Sequence, residues 1–253
     1  YTLSYGGLYI ADISNPANIT NIGNVATADS PLNIVISGNY AYITSETIDD
    51  DFEIFNISDP TNPFKVGGMG LSANAEDLVV VGNYAYITPR NAAGDDFEII
   101  DISDPTNPFK VGGLDPGSFA YNIAISGNYA YLVLDTGGGD NFRIIDISDP
   151  TNPTEIGGLD TGNNLADIVL AGNYAYVAPF TGSLKVIDIA SSTNPFVIGE
   201  AAAADSVIDL AISGNYLYVT SESIGDDLEI YDLGGLITPT AEIGNLLAND
   251  IES

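Results

Sequence analysis

Short apolar runs alternate along the chain with turn residues, and the order of the runs repeats. Residues 76–81 (EDLVVV) form one apolar run, Gly82-Asn83 is a turn pair, and residues 84–88 (YAYIT) alternate and are rich in β-formers. Residues 97–102 (FEIIDI) make a third run, Asp104-Pro105-Thr106-Asn107-Pro108 breaks it, and FKVGG from Phe109 makes a fourth. The pattern predicts four short strands. No window of about 12 residues keeps a helical period free of Gly, Pro or β-branched residues, so no helix competes. The third run is apolar on nearly both faces, which predicts a sheet held between two neighbouring sheets.

Two markers fix the period. Asp12-Ile-Ser, Asn56-Ile-Ser, Asp101-Ile-Ser, Asp146-Ile-Ser, Asp188-Ile-Ala and Asp232-Leu-Gly recur at steps of 44, 45, 45, 42 and 44 residues, and Gly-Asn-Tyr starts at Gly38, Gly82, Gly127, Gly172 and Gly214. Four strands at such a period are the signature of a propeller blade. Aligning Asp12 on Asp188 puts Tyr1 opposite Val177, so the first repeat begins partway along its second strand. Aligning the tail LANDIES so that Asp250 matches Asp209 makes the tail the missing first strand. The expected fold is all-β, a six-bladed β-propeller of four-stranded blades, with the last blade closed by the N- and C-terminal segments. It is a single domain over 1–253, with repeat units 1–30 (partial), 31–74, 75–119, 120–164, 165–206 and 207–248 and a closing strand at 249–253. Closure of this kind removes exposed sheet edges, and the same strand donated to a neighbouring molecule makes a polymer.

The Tyr pairs Tyr40/Tyr42, Tyr84/Tyr86, Tyr129/Tyr131, Tyr174/Tyr176 and Tyr216/Tyr218 place both rings on one face of the second strand. They read as packing between blades, with a stacking platform for a sugar or base as the alternative. Taken together, an apolar first strand with Asp, then GNYAY, then DFEIIDISDPTNP and an apolar strand ending in Gly resembles the LVIVD-repeat family over essentially the whole chain. The resemblance implies a β-propeller of the bacterial or archaeal surface or medium with no assigned enzymatic activity, and it supplies no catalytic residues.

Composition narrows the chemistry. The chain has 253 residues, no Cys, no His and no Trp, so disulfides, thiol chemistry and the usual general base are missing. Against 35 Asp and Glu stand only Lys65, Arg90, Lys110, Arg143 and Lys185, for a net charge of -30. Polyanions such as nucleic acid are therefore excluded as partners, and salt or bound cations are the expected working medium. No apolar run reaches the length of about 18 residues that a spanning helix needs, so no membrane insertion is expected. The chain opens at Tyr1 and its only Met is Met69, which points to a removed leader or to a piece of a longer protein.

Several positions could carry a ligand. The residue five before each turn glycine is polar: Asn33, Asp77, Asn122, Asp167 and Asp209, with Asp250 completing the set. In a propeller these six side chains form a ring near a channel mouth, either as oxygen ligands for Ca²⁺ or as caps on neighbouring backbone N–H groups. Acidic clusters precede the third strand at Asp49, Asp50 and Asp51, at Asp95 and Asp96, at Asp140, and at Asp226 and Asp227. They read as a solvated rim or as weak calcium loops, without EF-hand spacing. Asn18 and Asn56 head the two N-x-S/T sequons and are candidate glycosylation sites.

The expected function is non-enzymatic: a secreted or cell-surface structural or adhesive protein, able to self-assemble into a filament or array through its incomplete terminal blade. The partners are then other copies of itself, or other surface proteins and glycans. A Ca²⁺- or glycan-binding module of a larger surface protein is the alternative. A glycan-active enzyme using a carboxylate pair comes third, because no one pair among so many acids is singled out.

Overall fold

Each apolar run of the repeat is a strand. The computed structural model describes residues 1–4, 6–28, 30–46, 50–90, 94–135, 139–202, 207–221 and 228–236. The first sheet holds β1 (Thr2–Ser4), β2 (Gly7–Asp12) and β3 (Thr20–Val25), and the second β4 (Pro31–Ser37), β5 (Tyr40–Ser45), β6 (Phe52–Asn56) and β7 (Phe64–Met69). The third holds β8 (Ala75–Val81), β9 (Tyr84–Pro89), β10 (Phe97–Asp101) and β11 (Phe109–Leu114). In the fourth are β12 (Ala120–Ser126), β13 (Tyr129–Leu134), β14 (Phe142–Asp146) and β15 (Thr154–Leu159). The fifth has β16 (Leu165–Ala171), β17 (Tyr174–Pro179), β18 (Leu184–Asp188) and β19 (Phe196–Ala201), and the sixth β20 (Val207–Ser213), β21 (Tyr216–Ser221) and β22 (Leu228–Asp232). Within each sheet the strands follow chain order, and neighbouring strands pair antiparallel.

The chain is all-β, and its six sheets are the blade series of a six-bladed β-propeller. Two sheets show three strands: the first, whose repeat was expected to be partial, and the sixth, which was expected to have four. Among the described residues the first lacks an inner strand and the sixth an outer one. The closing segment 249–253 lies outside the described residues. A single turn of helix, α1 (Leu233–Leu236), follows β22 where no helix was expected.

The first strand of the molecule is offset by one residue from the expected alignment. Thr2, not Tyr1, takes the place of Val177: Thr2 lies opposite Tyr9 as Val177 lies opposite Lys185. The cause is the turn at Gly6, which is one residue shorter than the corresponding turn of the fifth sheet.

The chain divides into two compact units, residues 1–120 with 149–153 and residues 121–148 with 154–253. In the first, Tyr42, Phe52 and Ile54 of the second sheet pack with Leu78, Ala85, Ile87 and Ile100 of the third. In the second, Tyr131, Phe142 and Ile144 of the fourth sheet pack with Ile168, Ala175, Val177 and Ile187 of the fifth. The second Tyr of three pairs, Tyr42, Tyr86 and Tyr131, lies beside the first aromatic of the third strand, as Tyr86 does with Phe97 at 6.3 Å and 12° between ring planes. These three rings are core.

The repeat's punctuation has local causes. Gly38, Gly82, Gly127, Gly172 and Gly214 sit at φ of 59–60°, the left-handed conformation that the first position of a two-residue hairpin turn demands. Asp12, Asp101, Asp146 and Asp188 each accept the N–H of the residue two further on, at 2.8–2.9 Å, and Asn56 does the same for Ser58 at 3.0 Å. Hydrogen bonds from Ser14 hold the Asp12 carboxyl below its ordinary value. The Asp-Ile-Ser motif is thus an Asx turn that ends the third strand.

The glycine of the fourth strand has a different cause. A Cβ on Gly67 would stand 2.1 Å from the carbonyl oxygen of Pro105, one on Gly112 2.1 Å from that of Pro150, and one on Gly157 2.2 Å from that of Ser192. The Asp-Pro-Thr-Asn-Pro turn of one sheet therefore sits on the bare backbone of the sheet before it. Gly112→Ala is expected to lower the stability of the fold by about 1–3 kcal/mol through this overlap, read as a fall in the urea midpoint at unchanged slope. An unchanged midpoint would show that the turn can lift away freely.

Candidate functional site

The polar residues of the first strands are aimed by bulges. Pairing with the second strand skips a residue between Pro31 and Asn33, Ala75 and Asp77, Leu165 and Asp167, and Val207 and Asp209. A bulge at that point re-aims the side chain that follows it. The structure brings these residues together in two pairs. In the first unit the Asn33 Oδ1 accepts the N–H of Ile34 at 2.6 Å, and its Nδ2 donates to Asp77 Oδ1. In the second unit Asp167 Oδ1 accepts the N–H of Ile168 at 2.7 Å, and Oδ2 accepts that of Leu210, on the next sheet, at 2.5 Å.

Asp167 is only 4% exposed and abuts Asp209, which is exposed. Burial pushes the Asp167 carboxyl up to about 8 against the pull of the Ile168 and Leu210 N–H groups, and the Asp209 charge and hydrogen bond raise it further. Neither Lys nor Arg occurs on β13, β16, β17 or β20 to relieve the pair. Asn122 is half-buried on β12, and Asp250 lies outside the described residues.

The acidic loops are less solvated than expected. Asp51 is buried and accepts the Leu71 N–H at 2.6 Å, while its Oδ2 has no partner among the described residues. Burial pushes its carboxyl up to about 6, against the hydrogen bond from Leu71 and with the charges of Glu98 and Asp50 adding to the rise. Asp96 is buried in the corresponding place. In the fourth sheet Asn141 fills the role without charge and accepts the Thr161 N–H at 2.9 Å. Asp49, Asp226 and Asp227 lie outside the described residues.

Asp50 and Asp95 belong to ion clusters that their sequence neighbourhood conceals. Lys65 Nζ contacts Asp50 and lies 3.0 Å from Glu53; Lys110 Nζ lies 2.8 Å from Asp95 and 2.9 Å from Glu98. Burial pulls the Lys110 ammonium down, and the hydrogen bonds it donates to Asp95 and Glu98, with their charges, outweigh it and leave it raised. Glu98 is 1% exposed, and its Oε2 has no partner among the described residues. In the fourth sheet the signs reverse: Arg143 stands where Glu98 does, Glu155 where Lys110 does, and Nη1 meets Oε1 at 2.7 Å. Asp140 lies 3.7 Å from the same guanidinium. A Cβ on Gly113 would stand 2.6 Å from Asp95 Oδ2, so the second glycine of the fourth strand makes room for the cluster. The constant offset of 15 residues between Asp50 and Lys65, and between Asp95 and Lys110, is the sequence signal for it.

Two grooves open on the described surface. One, of about 400 Å³, is lined by Asn128, Tyr129, Tyr131 and Asn173 at the hairpin turns of the fourth and fifth sheets. The other, of about 350 Å³, is lined by Leu3 and Ser4 of β1, Ser30, Pro31 and Leu32 at the start of β4, and Glu46. Among the described residues β1 pairs only with β2, and its Leu3 and Ser4 stand on this groove. Asn18 is exposed, and the Asn56 side-chain oxygen is engaged by Ser58. Among the described residues no three acidic, His or Cys side chains group to hold a metal, and no helix is long and apolar enough to cross a membrane.

The LVIVD repeat model matches six segments, residues 3–27, 31–69, 72–115, 117–161, 164–202 and 204–230. The chain belongs to the LVIVD repeat family. Each matched LVIVD segment corresponds to one sheet. No curated protein matches the chain. Among solved structures, the computationally designed Ika8 protein is similar with a TM-score of 0.66 at 13% identity, over 87% of this chain and 63% of that one. The hydrazine synthase of Kuenenia stuttgartiensis is similar with a TM-score of 0.66 at 17% identity, over 85% of this chain and 68% of that one. The LVIVD chain thus spans less than two thirds of the Ika8 chain. At these identities the likeness is one of fold alone.

Proposed function

We propose that this LVIVD-repeat protein is a non-enzymatic structural or adhesive component of the cell surface or medium, and that it self-associates by strand addition. The observation that carries the reading is the open edge of β1 beside its groove. An unpaired edge is a template for a strand from another chain, and native proteins rarely leave one uncovered. Family membership supports the surface location. The acidic composition supports it as well, since so large a net charge keeps a protein soluble where salt and cations are plentiful.

Self-association is tested by electron microscopy and light scattering of the protein, with calcium and with chelator, beside a variant lacking residues 247–253. Filaments or ordered oligomers that the deletion abolishes are the expected result, and loss in chelator would place a cation at the joint. Monomers for both proteins at high concentration would overturn the reading.

A further inference from the structure

We infer that the open edge of β1 is the acceptor for residues 248–253 of this chain, in a register that sets Ile251 opposite Thr2. The inference deepens the self-association reading and rests on the same edge. Its first support is the architecture. In the second, third and fifth sheets the strand equivalent to β1 is flanked on its far side by a first strand seven residues long; in the first sheet no described strand holds that flank, and Leu3 and Ser4 of β1 line a groove with Pro31 and Leu32. Leu32 is exposed there, and Leu3 is half-buried against the Leu8 and Ile10 cluster, so a covering strand would bury apolar surface as well as pair the backbone.

The second support is the segment itself. With Asp250 at the place of Asp209, residues 248–253 (ANDIES) fill six of the seven positions of a first strand, and they contain no proline to interrupt a ladder. The register follows from the pairings already described. Thr2 holds the place of Val177, and Val177 lies opposite Ile168. Ile251 holds the place of Ile168, since each follows the aligned Asp by one residue. Asp250 then falls opposite Leu3, as Asp167 falls opposite Ala178.

Because the chain has no cysteine, the register can be trapped directly. Directly opposed residues of an antiparallel pair have Cα atoms about 4.5–5.5 Å apart, within the span of a disulfide. The full chain carrying Thr2→Cys and Ile251→Cys is expected to form a disulfide under mild oxidation. The control carrying Thr2→Cys and Leu247→Cys, four positions out of register, is expected to stay reduced. Equal oxidation of the two, or none in the first, overturns the inference. The products also separate it from the reading beneath it. Ladders of covalent oligomers uphold both, whereas a monomer closed on itself upholds the acceptor and removes self-association. A melting temperature matching that of the cysteine-free chain under reducing conditions establishes that each variant is folded.

Discussion

Replacing Lys110 by methionine is expected to cost about 3 kcal/mol of stability. The figure sits at the lower end of the cost of stripping the partner from a buried charge, because the ammonium itself reaches solvent while Glu98 is 1% exposed. Among the described residues Glu98 already has one oxygen without a partner, and the charge of the buried Asp51 carboxyl lies close enough for the two to repel. Removing the ammonium leaves Glu98 and Asp95 without the charge of Lys110 to offset them. The reversed pair of the fourth sheet supplies the rescue. Glu98→Arg combined with Lys110→Glu should regain most of the loss, since Arg143 and Glu155 occupy the same two places at 2.7 Å. Urea unfolding of the single and double variants measures it, and a Lys110→Met midpoint equal to that of the parent would show that Glu98 does not depend on the pair.

Asp167→Asn is expected to stabilise the protein and to remove part of its pH dependence. The Asp167 carboxyl is raised to about 8 in the fold against an ordinary 3.8, so the folded state keeps a proton that the unfolded chain releases. Stability from this group is therefore greatest below pH 4 and falls as pH rises towards 8, by at most about 1.4 kcal/mol per pH unit. Asn33 already performs the neutral version, accepting the next residue's N–H and donating to Asp77. An amide at 167 should donate to Asp209 in the same way, although it gives up the acceptor for the Leu210 N–H. The net gain expected at pH 7 is on the order of 1–2 kcal/mol, and near pH 4, where only the lost Leu210 acceptor counts, it turns into a loss of similar size. The measurement is the difference in unfolding free energy between parent and variant from pH 4 to pH 8, which cancels the background of the other carboxyls. A difference independent of pH would mean that Asp167 is ionised throughout.

The strands were legible because each is an apolar run closed by a residue with a fixed local task. Gly82 turns the hairpin and Asp101 ends the third strand, and both tasks are settled within a few residues. What stayed hidden depends on distance in the chain. The seating of the Pro150 carbonyl on Gly112 joins one repeat to the next, and a Gly-Gly pair at the end of a strand reads equally well as a turn. The acidic loops read as a solvated rim because Lys65 and Lys110 are remote in sequence from Asp50 and Asp95. The polar residues of the first strands could be placed in line by spacing. Their joining as Asn33 with Asp77 and Asp167 with Asp209 depends on bulges that no local residue announces. At β1 a turn one residue shorter moved the register, which counting from Asp12 alone could not detect.

The reversed ion pair of the fourth sheet also bears on how so repetitive a chain reaches one native state. Neighbouring repeats of near-identical sequence invite a fourth strand to dock on the third strand of the wrong sheet, a characteristic failure of repeat proteins. Were β15 to pair with β10, Glu155 would meet Glu98 in a buried setting; were β11 to pair with β14, Lys110 would meet Arg143. Each misassembled sheet would carry a like-charge contact that the correct sheets lack, and such contacts cost several kcal/mol. Two residues with their signs exchanged thus act as an address, telling the third repeat from the fourth while both are still being assembled.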